Sequence, residues 1–282
     1  MTETDATSAE PVPKSGPARK VPWHRTTVSE SLQFTVLSVL LLWLIVHGAQ
    51  SMGYKWQWEK MPRYIYRVVD GEFVLGPLTN GLLVTLDLAW IAMILTVLIG
   101  IGVAILRLSD SIVGRIFGRI YIEVIRNTPI LVQILIVYFI IGRIFAIPRF
   151  WAGVLCLALY EGAFAAEIIR GGIIAVRKGQ WEASRSLGLT EFDTYRDIII
   201  PQAIPLMLPP LAGVLVNLVK HSAIVSVIAV FDLATQARTL VSDTFLAFEI
   251  WFTAAAMYLA VTVSLTLVIS WLERHFNRPK RA

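Results

Sequence analysis

"GQWEASRSLGLTEFDTYRDIIIPQAIP" (residues 179–205) is a polar run set in an oily chain. It holds Glu182, Arg185, Glu191, Asp193, Arg196 and Asp197, with long apolar blocks on both sides. "GQWEASRSL" is compatible with a helix, which Gly188 ends, and the small residues Ala183, Ser184 and Gly188 let another backbone come close. Thr190 is a suitable N-cap for the next stretch. Asp193 stands at its third helical position, a variant of the capping box. The spacing therefore predicts two short helices joined at a glycine bend. Pro201 and Pro205 are expected to stop the second and turn the chain into the following apolar block.

The solvent for which this chain is written follows from its composition. Of its 282 residues, 56% are apolar and 16% charged, against about 45–50% and about 25% in ordinary globular domains. The excess sits in six blocks: "FTVLSVLLLWLIV", "LLVTLDLAWIAMILTVLIGIGVAIL", "ILVQILIVYFIIG", "FWAGVLCLALYEGAFAAEII", "LMLPPLAGVLVNLVKHSAIVSVIAV" and "WFTAAAMYLAVTVSLTLVISWL". About 20 apolar helical residues cross the ~30 Å hydrocarbon layer. The blocks lack the two-residue alternation of barrel strands, so the expected fold class is an all-α integral membrane protein with six transmembrane helices.

The rest of the chain divides around these blocks. Residues 1–31 are rich in Pro, Thr, Ser and charge and read as a disordered tail. Residues 32–50 form a first transmembrane helix, since no cleavage site follows them. Residues 51–77 are an outer segment, 78–273 a transmembrane domain with the polar loop at 171–205, and 274–282 a basic tail. With the N-terminus inside, seventeen Lys and Arg fall on inner segments and seven outside, at Lys55, Lys60, Arg63, Arg67, Arg143, Arg149 and Arg238. That bias places both termini and the opening loop in the cytoplasm. The net charge of +5 then reads as topology, with no call for nucleic acid. Cys156 is the lone cysteine, so no intramolecular disulfide is possible, and it reads as a small packing residue.

Enzyme chemistry finds no foothold. There is no H-E-x-x-H or G-x-S-x-G, and His24, His47, His221 and His275 lie on different segments, so neither a catalytic set nor a metal site is expected. Charges do occur inside or near the spans: Asp87, Glu123, Arg126, Glu161, Glu167, Arg170, Lys220, Asp232 and Glu249. Each costs about 2.5–3.5 kcal/mol at a helix centre and should face the bundle. Glu123 with Arg126, and Glu167 with Arg170, are three apart on one helical face and read as pairs. Gly171 and Gly172 bend the chain out of the membrane. Pro129 predicts a kink a few residues inside the third span, its freed carbonyl satisfied by neighbours or by Thr128. Glu161 falls near mid-depth of the fourth span beside Gly162 and Ala163, which leave room for a cavity. Two readings of it stand: partner of a solute ammonium or cationic group, or buried pair with Lys220 on the next span. Lys220 and His221 in turn meet either a solute carboxylate or a buried acid, Asp87 or Glu161.

The opening stretch also carries a pattern: Glu182-Ala183-Ser184, three residues, Gly188, nine residues, then Ile198-x-Ile200-Pro201. It resembles the EAA loop of the permease subunits of bacterial ATP-binding-cassette importers, E-A-A, three residues, G, nine residues, I-x-L-P, with Ser184 and Ile200 as mild departures. Other stretches narrow the resemblance to the polar amino-acid uptake family. "GLLVTLDLA" at Gly81 looks like the start of its core. "YIEVIRNTPILVQILIVYF" is similar to its E-x-x-R-x-T-P-x-L-V-Q signature through Glu123, Arg126, Thr128, Pro129, Val132 and Gln133. "GAFAAEIIRGGIIAVRKGQWEA" and "LVKHSAIVSVIAVFDL" resemble the run into the EAA loop and the lysine-bearing fifth span.

The resemblance implies a five-span permease core preceded by one extra helix, in the bacterial inner membrane, with residues 51–77 periplasmic. It implies a cytoplasmic ATPase dimer docked on the EAA loop, a second permease subunit, identical or a sister chain, and a periplasmic amino-acid-binding protein. No cofactor is expected on this chain. It has no G-x-x-x-x-G-K-[ST] phosphate loop, so the partner binds and hydrolyses ATP. The possible substrate pathway is Asp87, Glu161 and Lys220, and at Glu161 the family usually has a neutral residue. The rival reading is a stand-alone, ion-coupled carrier, because buried ionisable residues also suit proton or sodium coupling.

Overall fold

The computed structural model describes residues 27–276. The chain divides into two compact units, one ending at Trp56 and one beginning at Gln57. In the first, α1 (Thr27–Ser51) is apolar on every side, and Trp43 and His47, one turn apart, stack at 5.2 Å. The tails expected at 1–31 and 274–282 lie largely outside the described residues, although α1 already begins at Thr27 and the last helix runs to Phe276.

The second unit opens with a 3₁₀ turn (Trp58–Lys60), α2 (Pro62–Ile65) and a hairpin of β1 (Tyr66–Val69) and β2 (Glu72–Leu75). Asp70 and Gly71 both have positive φ, 52° and 82°, as a two-residue type I′ turn demands. The all-helical expectation missed this small sheet. Then come α3 (Pro77–Leu108), α4 (Ile112–Arg126), α5 (Ile130–Ile136), a π turn (Val137–Ile141), α6 (Gly142–Ile144) and α7 (Arg149–Ile174). The second half holds α8 (Lys178–Ser186), α9 (Glu191–Asp193), a second π turn (Thr194–Ile199), α10 (Ile200–Val225), α11 (Leu233–Thr244) and α12 (Ala247–Phe276).

Helices cannot associate in lipid by hiding oil from water, so they depend on close packing of small residues. The core shows that device. α3 lies along α7, where a Cβ on Gly100 would come 2.8 Å from the Ala165 Cβ, and α10 closes the other side. Leu88, Ala92, Ala152, Leu157, Leu218 and Val225 are buried between these three helices.

The span count turns on one bend, and one expectation changes. Five helices are long and apolar enough to cross a membrane, or six if a bent pair counts as one span. That pair, 112–126 with 130–144, turns by 108°. Pro201, moreover, does not stop a helix. It sits in the first turn of α10, where a missing N–H costs little, and the chain passes from α9 through the π turn into α10 without leaving helical geometry. Pro205, Pro209 and Pro210 lie inside α10, where each removes one ladder donor without ending the helix.

Candidate coupling loop and solute cavity

The polar loop is built as its sequence spacing suggests. After α8, Leu189 N–H reaches Ser184 O at 3.1 Å and Gly188 N–H reaches Arg185 O at 3.0 Å. These are the two bonds of a Schellman cap, which needs a left-handed residue, and Gly188 supplies φ +71°. Thr190 then caps α9, its Oγ1 accepting from Asp193 N–H at 3.2 Å and donating to the Asp193 carboxylate. Gly188 is a conformational requirement rather than a contact point, since a Cβ there would meet nothing within 4 Å.

The loop is braced on the bundle. Ser184 is buried and donates to Gln180 O at 2.7 Å, Trp181 meets the Tyr195 ring edge-on at 5.2 Å, and Gln202 Nε2 bonds Gln180 Oε1 at 3.2 Å. Ile198 and Ile200, half-buried, flank the fully buried Ile199, which packs with Ala104, Ile169, Ile173 and Met207. Facing outward are Glu182, paired with Lys178 at 3.3 Å, Ala183 and Pro201. Sequence reasoning overlooked Leu187, Leu189 and Phe192, exposed side chains around the bend. Their signal was available as three oily residues inside a polar run.

The signature of the third span sits at the break between α4 and α5. Pro129 is the N-cap of α5, so the chain turns a corner there instead of kinking a continuous helix. Thr128 Oγ1 donates to Val124 O at 2.8 Å. Gln133 Nε2 reaches Ile125 O at 2.8 Å, Thr128 Oγ1 at 2.7 Å and Thr128 O at 3.1 Å. The corner is thus stitched by side chains that replace lost ladder bonds. The expected Glu123–Arg126 pair is not formed. Asn127 Nδ2 donates to Glu123 Oε2 at 3.0 Å, and the Arg126 guanidinium lies 5.1 Å over the Phe164 ring of α7. The Glu167–Arg170 pair is present, at 2.8 Å and 3.2 Å, with Arg107 of α3 at 3.6 Å as a third member.

A cavity of about 660 Å³ opens between α7, α10 and α12. Tyr160, Glu161 and Phe164 line one side, Asn217 and His221 another, Thr266 and Ser270 the third. Pro209, Pro210 and Gly213 of α10 border it. Glu161 is 1% exposed, and its Oε1 lies 2.8 Å from His221 Nδ1. Of the pairings offered by the sequence, the one formed is with His221, and the alternative with Lys220 is not. Neighbours on a helix point about 100° apart, so only one of Lys220 and His221 can face α7. Lys220 and Asp87 are exposed and line no part of the cavity. Of the three residues expected on a substrate pathway, Glu161 lines this cavity and Asp87 and Lys220 do not.

Comparison with known proteins gives this arrangement a class. Residues 96–281 match the family described as the inner membrane component of binding-protein-dependent transport systems. The chain belongs to that family and is a membrane subunit of such a transport system, as the resemblance of its motifs implied. It is 38% identical over 197 residues to a putative glutamine transport system permease protein of Rickettsia typhi, covering 69% of this chain and 90% of that one. The glutamine transport system permease protein of Escherichia coli K12 is 34% identical over 203 residues, covering 71% and 93%. A solved amino acid ABC transporter, crystallised with histidines, is 42% identical with a TM-score of 0.67, over 71% of this chain and 94% of its own. An inward-facing methionine ABC transporter, 19% identical with a TM-score of 0.58, shares the fold.

Proposed function

We propose that this chain is the transmembrane subunit through which a polar amino acid crosses the inner membrane, driven by a separate ATPase docked on residues 178–201. The observation that carries this reading is the loop itself. Two capped helices hold Leu187, Leu189 and Phe192 outward on a base anchored in the bundle by Ile199. A rigid apolar tip in a polar setting suits a groove on another protein. Glu182, Ala183, Ser184, Gly188, Ile198, Ile200 and Pro201 shape and support that tip. ATP stays on the partner, and rocking of the helices around the cavity is the transport step.

In this reading both termini and the loop face the cytoplasm, two permease subunits pair, and a periplasmic binding protein delivers the solute. Glutamine and histidine, named with the relatives, are the first solutes to test. The solute meets Glu161, Asn217 and His221, one set of groups for an α-ammonium and the other for a carboxylate or an amide.

The experiment is purification of the tagged chain in mild detergent, followed by reconstitution with the proteins it retains. Expected is co-purification of an ATPase, and uptake that requires ATP and a soluble binding protein. Uptake driven by a proton or sodium gradient without ATP would defeat the reading.

A further inference from the structure

The segment between Gln57 and Gly76 lies outside the residues that the family match covers, and it carries an exposed apolar surface. Directly opposed residues of an antiparallel hairpin share a face, and successive residues alternate. The register pairs Tyr66 with Leu75 and Val68 with Phe73, so these four form one face, while Arg67, Val69, Glu72 and Val74 form the other. The first face is apolar and uncovered, at 45%, 62%, 70% and 41% exposed for Tyr66, Val68, Phe73 and Leu75. Tyr66 and Phe73 stack on it at 5.1 Å.

This hairpin is fixed to the bundle. Gly76 N–H and Thr79 Oγ1 both donate to Ile65 O, at 2.8 Å and 2.6 Å, joining its base to the first turn of α3. Gly76 is needed there, because a Cβ would lie 2.2 Å from Tyr64 O. Below it, Met61 and Tyr64 are buried with Leu78, Leu233, Leu240 and Ile250, and Gln57 N–H donates to Glu249 Oε1 at 2.7 Å.

We propose that the Tyr66, Val68, Phe73 and Leu75 face is seated in phospholipid at the boundary between headgroups and acyl chains, and sets the depth of the ends of α3, α11 and α12 to which it is bound. Three observations favour lipid as the occupant. The face runs directly into α3, a helix from Pro77 that is long and apolar enough to cross a membrane, so its base lies within a few turns of that crossing. Aromatic rings with cations beside them, here Tyr66, Phe73 and Trp58 with Lys60, Arg63 and Arg67, are the composition of that layer. A delivery protein that leaves each cycle would dock on a surface about as polar as ordinary protein surface. This face has no polar group but the Tyr66 hydroxyl.

The test places single cysteines at 67, 68, 72 and 73 in a Cys156→Ala chain and spin-labels them in the whole transport complex in phosphatidylcholine liposomes. Cys156 is itself buried, so the comparison also runs with it retained should that change disturb the fold. Labels at 68 and 73 are expected to collide with oxygen several-fold more than with a water-soluble nickel chelate, with the reverse at 67 and 72. A fluorophore at 73 is expected to be quenched by lipids bearing a nitroxide at the top of the acyl chain, more than one at 72. Nickel access at 68 and 73 overturns the proposal. So does exclusion of both reagents, which means a protein cover, or a change on adding the soluble binding protein.

Discussion

His221 and Glu161 meet across α10 and α7, Nδ1 to Oε1 at 2.8 Å, while Lys220, one residue earlier, points elsewhere. A carboxylate 1% exposed would ordinarily be matched by a fixed cation. Here the match is an imidazole that also borders the cavity and has the Tyr160 ring edge-on at 5.7 Å. The pair is therefore built into the cavity wall, where a solute can compete for either member.

Glu161→Gln keeps an acceptor for His221 and removes only charge. The expected outcome is an intact complex whose half-saturating solute concentration rises about tenfold, the loss of about 1.4 kcal/mol from one charge-assisted contact. Lys220→Met should leave both stability and uptake unchanged. His221→Ala leaves the buried carboxylate with one partner fewer and should lower the yield of assembled complex, with recovery in the Glu161→Gln/His221→Ala double variant. Uptake kinetics in proteoliposomes and thermal unfolding measure these. A silent Glu161→Gln together with a disruptive Lys220→Met would restore the pairing expected from sequence.

Gly188 holds the Schellman bend at φ +71° with open space around it. A side chain there costs about 1–2 kcal/mol in backbone strain, more for a β-branched one, and no steric clash. Gly188→Val should leave the protein inserted at normal abundance and abolish ATP-driven uptake, because Leu187 and Phe192 are re-aimed. Gly188→Asn, which tolerates the left-handed region, should retain most uptake. Normal transport by the Val variant would show that the bend does not set coupling.

Much of this loop was legible because local rules govern it. A glycine after a helix and Thr190 three residues before Asp193 specify caps whatever surrounds them. The buried side of the loop was not, because Ser184 and Ile199 are placed by packing between segments far apart in sequence. The same limit explains Glu161. Its depth could be counted along α7, but its partner depended on the rotation of α10, which decides whether Lys220 or His221 faces it. The hairpin carried its own sign in Asp70-Gly71, a strong turn pair between alternating apolar residues, and was overshadowed by the oily blocks around it.

Gln133 is the residue that stitches the α4–α5 corner, through its contacts to Ile125 and Thr128. Gln133→Leu should remove these bonds at a cost of about 0.5–1.5 kcal/mol for each that counts and uncouple ATP hydrolysis from uptake. Pro129→Ala should matter less, since the residue caps α5 from outside and the stitches remain. Coupling ratios in reconstituted liposomes decide it. A larger loss from Pro129→Ala would mean that the ring of the proline, and not the Gln133 amide, holds the corner.

Gly81 stands where α3 passes the start of α11. A Cβ there would lie 2.9 Å from Asp232 O, 2.9 Å from Leu233 Cα and 2.8 Å from Gln236 Cγ. Two of the three are backbone, and the Leu233 N–H is tied to Thr85 Oγ1 one turn along α3 at 3.1 Å, so the neighbour cannot move away alone. Asp232 is also pinned, as the N-cap of α11 accepting from Thr235 N–H at 2.9 Å. Gly81→Ala should therefore destabilise the bundle by about 1–3 kcal/mol, the usual cost of overpacking. Gly102→Ala supplies the contrast, because a Cβ there meets nothing within 4 Å and alanine gains about 1 kcal/mol in helix propensity. Thermal unfolding of the two purified variants should move in opposite directions, Gly81→Ala down and Gly102→Ala level or up. An unchanged midpoint for Gly81→Ala would show that α11 is free to shift from α3, and that the buried Thr85–Leu233 bond does not fix their crossing.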